Sequence, residues 1–428
     1  MHAHDNSKDV TGAIIGCRRL RDGMALGLLL GLSTVLSLSW AEEPGITDKT
    51  IRIGSILPLE GDYMVYGLAV KQGMDAALAG QMIQGRTVEL NVLNNFNEPI
   101  TTIEVARTLI DQGVFMMLGN VGTLASLKLM PVLAANKLPA LGFYTSGQIQ
   151  TDGDMLNFRP GHAQEINTLV TMATDAGVKP AQICLFVQND ADGLAGIDGL
   201  KTGLKKLPNT QDISEKLDQN MEVMMGGINP ALNNVGPVGF YPRGTVRLRE
   251  GYQSLKNWEN TSKSPCRLVI MVTTPKVAAD FIAYALYKNE SWSFAAISST
   301  AAGDALKNLL LKNDVHHKVI VTQVVPALDS PLPLLADARK ALGPQLNPVS
   351  LEGFIVGRLF MAIARSINGA MTRVNFVEAA HRQAFDLGGL KIDFTKGNSG
   401  SGLVLLNLLN DDKYETFSLE VFKKMLHD

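Results

Sequence analysis

The stretch Ile51-Arg52-Ile53-Gly54-Ser55-Ile56-Leu57 decides the fold, because this apolar, β-branched run is typical of a buried strand. A helical pattern follows between Gly67 and Ala79, with apolar residues recurring on one face. The next apolar run, Val88 to Leu93, predicts a second strand. A strand, a helix and a strand in this order form a βαβ unit, so this part of the chain predicts a parallel sheet covered by helices.

The same alternation continues through most of the chain. Further strands are predicted at 115–118, 140–143, 183–187, 238–241, 268–272, 294–297 and 319–324, with helical patterns between them. A glycine-rich turn at 397–400 predicts a hairpin between strands at 390–394 and 402–407. The segment Pro208–Gly236 interrupts the alternation; we interpret it as an irregular insertion whose methionines fill packing gaps, in preference to a Met-lined partner surface. The pattern predicts an α/β protein with two doubly wound parallel-sheet lobes, the last hundred residues returning over the first.

Composition narrows the class of protein. The chain has 428 residues, with 39 Lys and Arg against 41 Asp and Glu and a formal net charge of -2. This length favours two or three domains. Balanced charge without a basic tract argues against a nucleic-acid-binding protein. Three cysteines are too few for a disulfide scaffold or a Cys-rich zinc site.

The amino terminus has the features of a secretory signal peptide. Arg18, Arg19 and Arg21 precede an apolar run at 24–38, and small residues follow it. The run is shorter than the roughly 18–20 apolar residues of a membrane span, so a signal peptide is favoured over an uncleaved anchor. We predict that residues 1–41 are removed by cleavage after Ala41. Their removal takes away four basic and three acidic residues, which leaves 35 against 38 and a net charge of -3.

Motifs for catalysis or metal binding are absent from the sequence. It contains no G-x-S-x-G, Walker A, G-x-G-x-x-G or H-E-x-x-H motif. The adjacent histidines His316 and His317 would point in different directions on a helix or strand, which is poor for chelation. We therefore expect no catalytic residues, no cofactor and no metal, and the loops become candidates for ligand binding.

Two loops stand out as ligand-binding candidates. Residues 119–126 and 142–146 each follow a predicted strand, at the sheet edge where open α/β folds bind ligands. The first loop opens a helix whose N–H groups and positive dipole end favour a carboxylate. Thr123 and Thr145 add hydroxyl donors. N-capping by these threonines is the alternative, and it uses the same geometry.

Several short stretches, taken in order and at their spacing after an export signal, form a pattern. They are Ile56-Leu57-Pro58-Leu59-Glu60-Gly61, Tyr66-Gly67, Gly73, Gly119–Ser126, Phe158-Arg159-Pro160, Gln188-Asn189-Asp190-Ala191-Asp192-Gly193, Thr322–Pro326 and Leu351-Glu352-Gly353. The pattern resembles the extracytoplasmic solute-binding receptors of the type I periplasmic binding fold, the group that includes leucine/isoleucine/valine-binding proteins of ABC importers. The resemblance runs through nearly all of residues 50–408. It implies two lobes, joined by a hinge, that close on a small ligand, usually an amino acid or a related acid or amide.

The resemblance also implies a domain organisation and a set of partners. We place the first lobe at 42–160, the second at 161–324, and a crossover with a return to the first lobe at 325–428. The implied function is a monomeric, non-enzymatic receptor in the periplasm that delivers a small-molecule ligand to an ABC permease in the inner membrane, with no nucleic acid involved. A ligand-sensing periplasmic module for a membrane signalling partner is the alternative. A secreted enzyme is disfavoured by the missing motifs.

Carried over by position, the ligand-binding residues implied by the resemblance come from both lobes. They are Tyr66, Thr123, Leu124, Phe143, Thr145, Asp192, Thr274 and Ser299. Thr123 would hold a ligand carboxylate, and the loop of Thr145 and the backbone of Phe143 would receive the carboxylate and amine. Ser299 stands where amino-acid receptors often have a carboxylate for the ammonium group. Either Asp192 takes over that role, an exposed cleft-rim residue being the alternative, or the ligand lacks an α-amine.

Two cysteines remain after removal of the signal peptide. Cys184 and Cys266 lie at the starts of two second-lobe strands, which this fold is expected to place side by side. An exported protein with an even number of cysteines favours pairing, although buried free thiols are the alternative. We expect a disulfide between them.

Overall fold

The computed structural model describes residues 43–145, 154–230 and 235–426. The predicted signal peptide, residues 1–41, lies outside the described residues, and so does Ser146 of the second candidate loop. No helix in the described parts of the chain is both long enough and apolar enough to span a membrane.

The first part of the chain builds a six-stranded sheet. Its elements are β1 (Thr50–Leu57), α1 (Met64–Leu78), β2 (Met82–Ile83), β3 (Arg86–Asn94), α2 (Pro99–Asp111), β4 (Met117–Leu118), α3 (Thr123–Ala135), β5 (Ala140–Leu141) and β6 (Met155–Leu156). The strand order is β2-β3-β1-β4-β5-β6, and every pair except β2–β3 is parallel. The last five residues of β1 are all buried, as expected for a strand covered by helices on both faces.

The second part builds a larger sheet. Its elements are α4 (His162–Asp175), β7 (Ile183–Asn189), α5 (Ala191–Leu204), α6 (Gln211–Met225), β8 (Val238–Pro242), α7 (Arg249–Ser262), β9 (Leu268–Val272), α8 (Pro275–Tyr287), β10 (Ser293–Ala296), α9 (Ser298–Ala301), α10 (Ala305–Lys312) and β11 (Val319–Gln323). Strands β8, β7, β9, β10 and β11 lie side by side and run parallel. All five residues of β9, at the centre of the sheet, are buried. The structure is thus an α/β fold with two lobes, as predicted.

The remaining elements are shared between the lobes. They are α11 (Pro333–Leu342), α12 (Pro348–Arg365), α13 (Arg373–Arg382), β12 (Ala384–Asp386), β13 (Lys391–Asp393), β14 (Leu405–Asn410), β15 (Lys413–Thr416) and α14 (Leu419–Met425). Helix α12 packs against α1 of the first lobe at very short range, because both helices carry glycine at the contact. A Cβ on Gly73 would lie 2.0 Å from the carbonyl oxygen of Ser350, and one on Gly353 would lie 2.3 Å from that of Val70.

The end of the chain departs from the sequence prediction. The crossover segment was expected to return to the first lobe throughout, but β14 pairs antiparallel with β11 of the second sheet, Ile320 lying opposite Leu408. Phe422 of α14 is also buried in the second-lobe core. The predicted hairpin around 397–400 is wrong as well, because β13 pairs with β12 and not with β14. Strands β12 and β13 have only three residues each and leave a weak sequence pattern, although the Gly388-Gly389 pair between them marks the turn.

Two helices of the second lobe also differ from the prediction. The segment predicted as an irregular insertion contains α6, whose residues Ile213, Leu217 and Met224 are buried at helical spacing. Its apolar stripe is narrow and its other residues are polar, so the sequence pattern was weak. The sequence pattern predicts this helix only from about residue 200, whereas α5 begins at Ala191, since three glycines in its first three turns weaken its helical pattern.

The second-lobe sheet places the two cysteines together. Strands β7 and β9 are neighbours, with Cys184 opposite Val269. The structure joins Cys184 and Cys266 in a disulfide with a Cα–Cα distance of 6.0 Å. Both residues are fully buried. The disulfide links β7, which contains Cys184, to the segment between α7 and β9, which contains Cys266.

Candidate functional site

A cavity of about 70 Å³ lies between the two lobes, where the carboxyl ends of both sheets face each other. Each lobe contributes the loops that follow its parallel strands, which is where open α/β sheets bind ligands. Thr123 follows β4 and begins α3, Asp192 follows β7, and Thr274 follows β9.

The structure brings together seven of the eight residues that the sequence singled out. The seven that line the cavity are Tyr66, Thr123, Leu124, Thr145, Asp192, Thr274 and Ser299. The eighth, Phe143, does not line it. Its side chain is buried in the first-lobe core, and its carbonyl accepts a hydrogen bond of 2.8 Å from Asn157 Nδ2.

Sequence reasoning missed several residues that also line the cavity. The polar and aromatic ones with the largest consequences are Tyr63, Asn97, Tyr144, His162, Asp190 and Arg243. Asn97 and Arg243 each lie just beyond the end of a strand, β3 and β8, so the strand-end rule could have identified them. His162 begins α4, and only the fold places it against the second-lobe loops.

Direct hydrogen bonds connect the lobes around the cavity. Thr123 Oγ1 in the first lobe donates to Asp192 Oδ1 in the second at 2.7 Å. Tyr66 Oη donates to the carbonyl of Ser299 at 2.8 Å. Arg243 Nη2 donates to the carbonyl of Asn97 at 2.9 Å. These bonds require the two lobes to be in contact, so the structure is a closed form.

The loop before α3 depends on a glycine. Gly122 has a φ of +107°, in the region that favours glycine, and a Cβ there would lie 2.3 Å from Asn97 Oδ1. The chain can therefore turn sharply from β4 into α3, which directs the first N–H groups of the helix and Thr123 toward the cavity.

Two carboxyl groups of the second lobe define the electrostatics of the cavity. Asp190 caps α5, accepting hydrogen bonds from the backbone N–H groups of Asp192 at 3.0 Å and Gly193 at 3.2 Å. Asp192 lies in the first turn of the same helix, and about one-third of its side chain is exposed, facing the cleft. Burial and the neighbouring Asp190 raise the pKa of Asp192 to about 7, against the lowering effect of the Thr123 hydroxyl.

The two basic side chains at the cavity, Arg243 and His162, do not form an ion pair with Asp192. Arg243 is committed to Asn97, and its other nitrogens lie 3.8 Å from Glu98 and 3.9 Å from Asp190. Burial and the charge of Arg159 lower the pKa of His162 to about 3, so this imidazole is neutral. The cavity thus contains two acidic side chains and one cationic one.

A buried ionic cluster lies beside the cavity at the crossing between the lobes. We call it the hinge cluster; it consists of Tyr144, Arg159, Glu165, Ser298 and Glu352. Arg159 Nη2 donates to Ser298 Oγ at 2.7 Å and lies 3.7 Å from Glu165 Oε1, while Arg159 Nε lies 3.4 Å from Glu352 Oε1. The guanidinium carbon lies 4.3 Å from the centre of the Tyr144 ring. These residues come from both lobes and from α12, so the cluster connects the parts that must move relative to one another.

Metal binding is not supported by side-chain placement. Within residues 43–145, 154–230 and 235–426, no three His, Cys, Asp or Glu side chains are grouped so that they could hold an ion.

Comparison with known proteins agrees with this arrangement. Residues 50–212 match the family model described as "Periplasmic binding protein". None of the curated proteins matches the chain. A possible leucine/isoleucine/valine-binding protein from Rhodopirellula baltica SH 1 is 28% identical, with a TM-score of 0.74, covering 87% of this chain and 97% of that one.

More distant solved structures share the fold. A leucine-binding protein from Thermotoga maritima is 15% identical with a TM-score of 0.68, over 86% of this chain and 97% of that one. A solute-binding protein of an ABC transporter from R. palustris, in complex with 4-hydroxybenzoate, is 16% identical with a TM-score of 0.67, over 86% and 96%.

The fold, the cleft and the comparisons together define the class of protein to which this chain is similar. The chain has the two-lobed fold of type I periplasmic binding proteins, and its resemblance to the leucine/isoleucine/valine-binding type is confirmed. These findings support a periplasmic solute-binding protein of the ABC-transporter type.

Proposed function

We propose that this protein is a periplasmic receptor that closes its two lobes on a small polar solute and presents it to an ABC permease in the inner membrane. The observation that carries the proposal is the cavity between the lobes, closed by the bonds Thr123–Asp192, Tyr66–Ser299 and Arg243–Asn97. Since these bonds cross the cleft, they contribute to binding only when the lobes close, which is the behaviour of hinge-closing receptors.

The size of the cavity limits the solute. A volume of about 70 Å³ is several times the roughly 10–15 Å³ that one water molecule needs, so the cavity holds a solute of several non-hydrogen atoms. Small members of the predicted ligand class, an amino acid or a related carboxylate or amide, agree with that size. Neighbouring structures bind chemically different ligands, as the leucine-binding protein and the 4-hydroxybenzoate complex illustrate, so the fold alone does not select one.

The receptor is proposed to act after export and without chemistry of its own. Cleavage after Ala41 would release a mature protein of 387 residues into the periplasm. Closure would join the rims of the two lobes into one surface that the permease recognises. The protein is proposed to work as a monomer.

A thermal-shift screen of the mature protein tests this function. The screen should contain small amino acids, their amides, amines, hydroxy and keto acids, aromatic acids and ureas. A true ligand raises the melting temperature with increasing concentration, because it binds only the folded state. The expected result is at least one saturable hit with 1:1 stoichiometry by calorimetry and no turnover by mass spectrometry. Turnover of the bound solute, or the lack of any hit, would contradict the proposal.

A variant of the cleft links any hit to this cavity. Tyr66→Phe removes the hydroxyl that bonds to Ser299 across the cleft. The loss of one such bond is worth about 0.5–1.5 kcal/mol, which weakens solute binding by roughly twofold to tenfold. Tyr287→Phe, at an exposed position on the outer surface of α8, is the matched control and should bind like the wild type.

A further inference from the structure

The carboxyl group of Asp192 occupies the place beside Thr123 that the sequence analysis assigned to a carboxylate of the ligand. Thr123 was expected to hold a ligand carboxylate, and in the structure its hydroxyl donates to Asp192 Oδ1 at 2.7 Å. A threonine hydroxyl has a single proton to donate. A ligand carboxylate could take that proton only by displacing Asp192.

Displacement is opposed by geometry. The backbone of Asp192 is fixed in the first turn of α5, where its N–H donates to Asp190 Oδ1. Because the aspartate side chain is short and its backbone is fixed, its carboxyl group stays close to its present position. Two acceptors that share the Thr123 hydroxyl would lie at most about twice a hydrogen-bond length apart, which brings two carboxylates within roughly 6 Å of each other.

Neighbouring charges make a third acidic group still less favourable. Asp190 and Asp192 are already present in the cavity, and Arg243 is bonded to Asn97 and faces Glu98 and Asp190. His162 Nδ1, 3.9 Å from Asp192 Oδ1, lies in a ring that is 98% buried and neutral. Above its pKa of about 7, Asp192 is ionised, and at an effective dielectric of about 20 like charges at this range repel strongly enough to reduce affinity by more than tenfold.

Besides the N–H groups at the start of α3, the side chains that face the solute favour a hydrogen-bond donor. Asp192 presents carboxylate oxygens, His162 Nδ1 has no hydrogen-bond partner among the described residues, and the Tyr63 and Tyr66 rings lie 6.2 Å apart at the cavity wall. Carboxylates accept from N–H groups, and aromatic faces attract cations.

We propose that the cleft selects solutes that lack a carboxylate, namely small amides and amines, because Asp192 occupies the hydroxyl of Thr123 and presents its own charge to the solute. This inference rests on the proposed function and narrows its substrate class. Asp192 acts both as a closing contact between the lobes and as the residue that rejects acids.

Matched probes that differ only in the acidic group test the inference by calorimetry at pH 8, where Asp192 is ionised. The probes are alanine with alaninamide, valine with valinamide, and propionate with propionamide and propylamine. The wild-type protein should bind a carboxylate-free member at least tenfold more tightly than the acid of the same skeleton. Binding of an acid as tightly as its amide or amine would overturn the inference and leave the proposed function standing. Binding by none of these probes, while another class binds, would also overturn it, and the lack of any hit in the full screen would overturn the proposed function itself.

A reciprocal variant tests the role of Asp192. Asp192→Asn keeps the size of the side chain and removes its charge, so the acid members should gain affinity and the preference should fall to below threefold. Asp198→Asn, on the same helix and away from the cavity, is the matched control and should keep the wild-type preference. An Asp192→Asn variant that rejects acids as strongly as the wild type would contradict the assignment. The wild-type comparison does not depend on the variant, so the inference stays testable if the variant folds poorly.

Discussion

Glu352 in the hinge cluster should make the stability of the protein depend on pH in a predictable direction. Its side chain is 6% exposed, with Oε1 3.4 Å from Arg159 Nε. One buried guanidinium thus faces the carboxyls of both Glu165 and Glu352. Burial raises the pKa of Glu352 to about 7; Arg159 lowers it and Glu165 raises it further.

The size of the effect follows from linkage. At pH values below about 4.5, Glu352 is protonated in both the folded and the unfolded chain and contributes nothing. As the pH rises from 4.5 to 7, the unfolded chain loses this proton while the folded chain keeps it, so the folded state loses stability. A difference of two to three pH units corresponds to about 3 kcal/mol, and the loss levels off above pH 7.

The variant Glu352→Gln isolates this contribution, because glutamine has the shape of the protonated acid and cannot ionise. The free energies of unfolding of variant and wild type, measured in urea at pH values from 4.5 to 8, should be similar at the acidic end. The variant should become the more stable by about 3 kcal/mol at pH 8. Glu378→Gln, at an exposed position on α13, is the control. Parallel stability curves for wild type and Glu352→Gln would refute the reasoning.

Three further changes test the fold and the closure. Alanine at both Cys184 and Cys266 should lower the free energy of unfolding by about 4.5 kcal/mol on the chain-entropy model, given their separation of 82 residues, and a loss below about 1 kcal/mol in urea unfolding would contradict this. Arg243→Met removes a cross-cleft bond from a charged donor, worth about 1.5–3 kcal/mol, so calorimetry should show at least tenfold weaker solute binding, whereas the exposed Arg247→Met should bind normally. Gly353→Ala places a methyl 2.3 Å from a carbonyl oxygen of α1 and should destabilise the protein by roughly 1–3 kcal/mol; unchanged urea unfolding would argue against the close helix contact.

Much of the fold could be predicted because parallel strands leave a strong pattern. A strand buried on both faces is a continuous apolar run, as at 268–272, and such runs predicted the two lobes. The side-by-side placement of the two strands next to the cysteines was implied by the family resemblance. The end of the chain could not be assigned in this way. Strand β14 is an antiparallel strand with only two buried residues, and its pairing with β11 across more than 80 residues of sequence leaves no local signal.

For the candidate site, the residues could be predicted in part, but the contacts between them could not. Thr123 was predicted from its loop after a strand, whereas Asp192 and Thr274 were implied by the family resemblance; all three line one cavity. Contacts between those loops could not be predicted, since the Thr123–Asp192 bond joins residues 69 positions apart on different lobes. Arg159 belonged to a quoted motif, yet its burial between two carboxyls became evident only from the three-dimensional arrangement.

The central claim is that the two lobes close on a small solute, and the most direct test is the distance between them. Lys128 on α3 and Glu250 on α7 are exposed, and spin labels attached to the variants Lys128→Cys and Glu250→Cys report that distance by pulsed electron paramagnetic resonance. A bound solute shifts the population toward the closed form. We expect the label distance to shorten with a saturable dependence on a solute that calorimetry shows to bind. An unchanged distance at saturating solute would contradict the account.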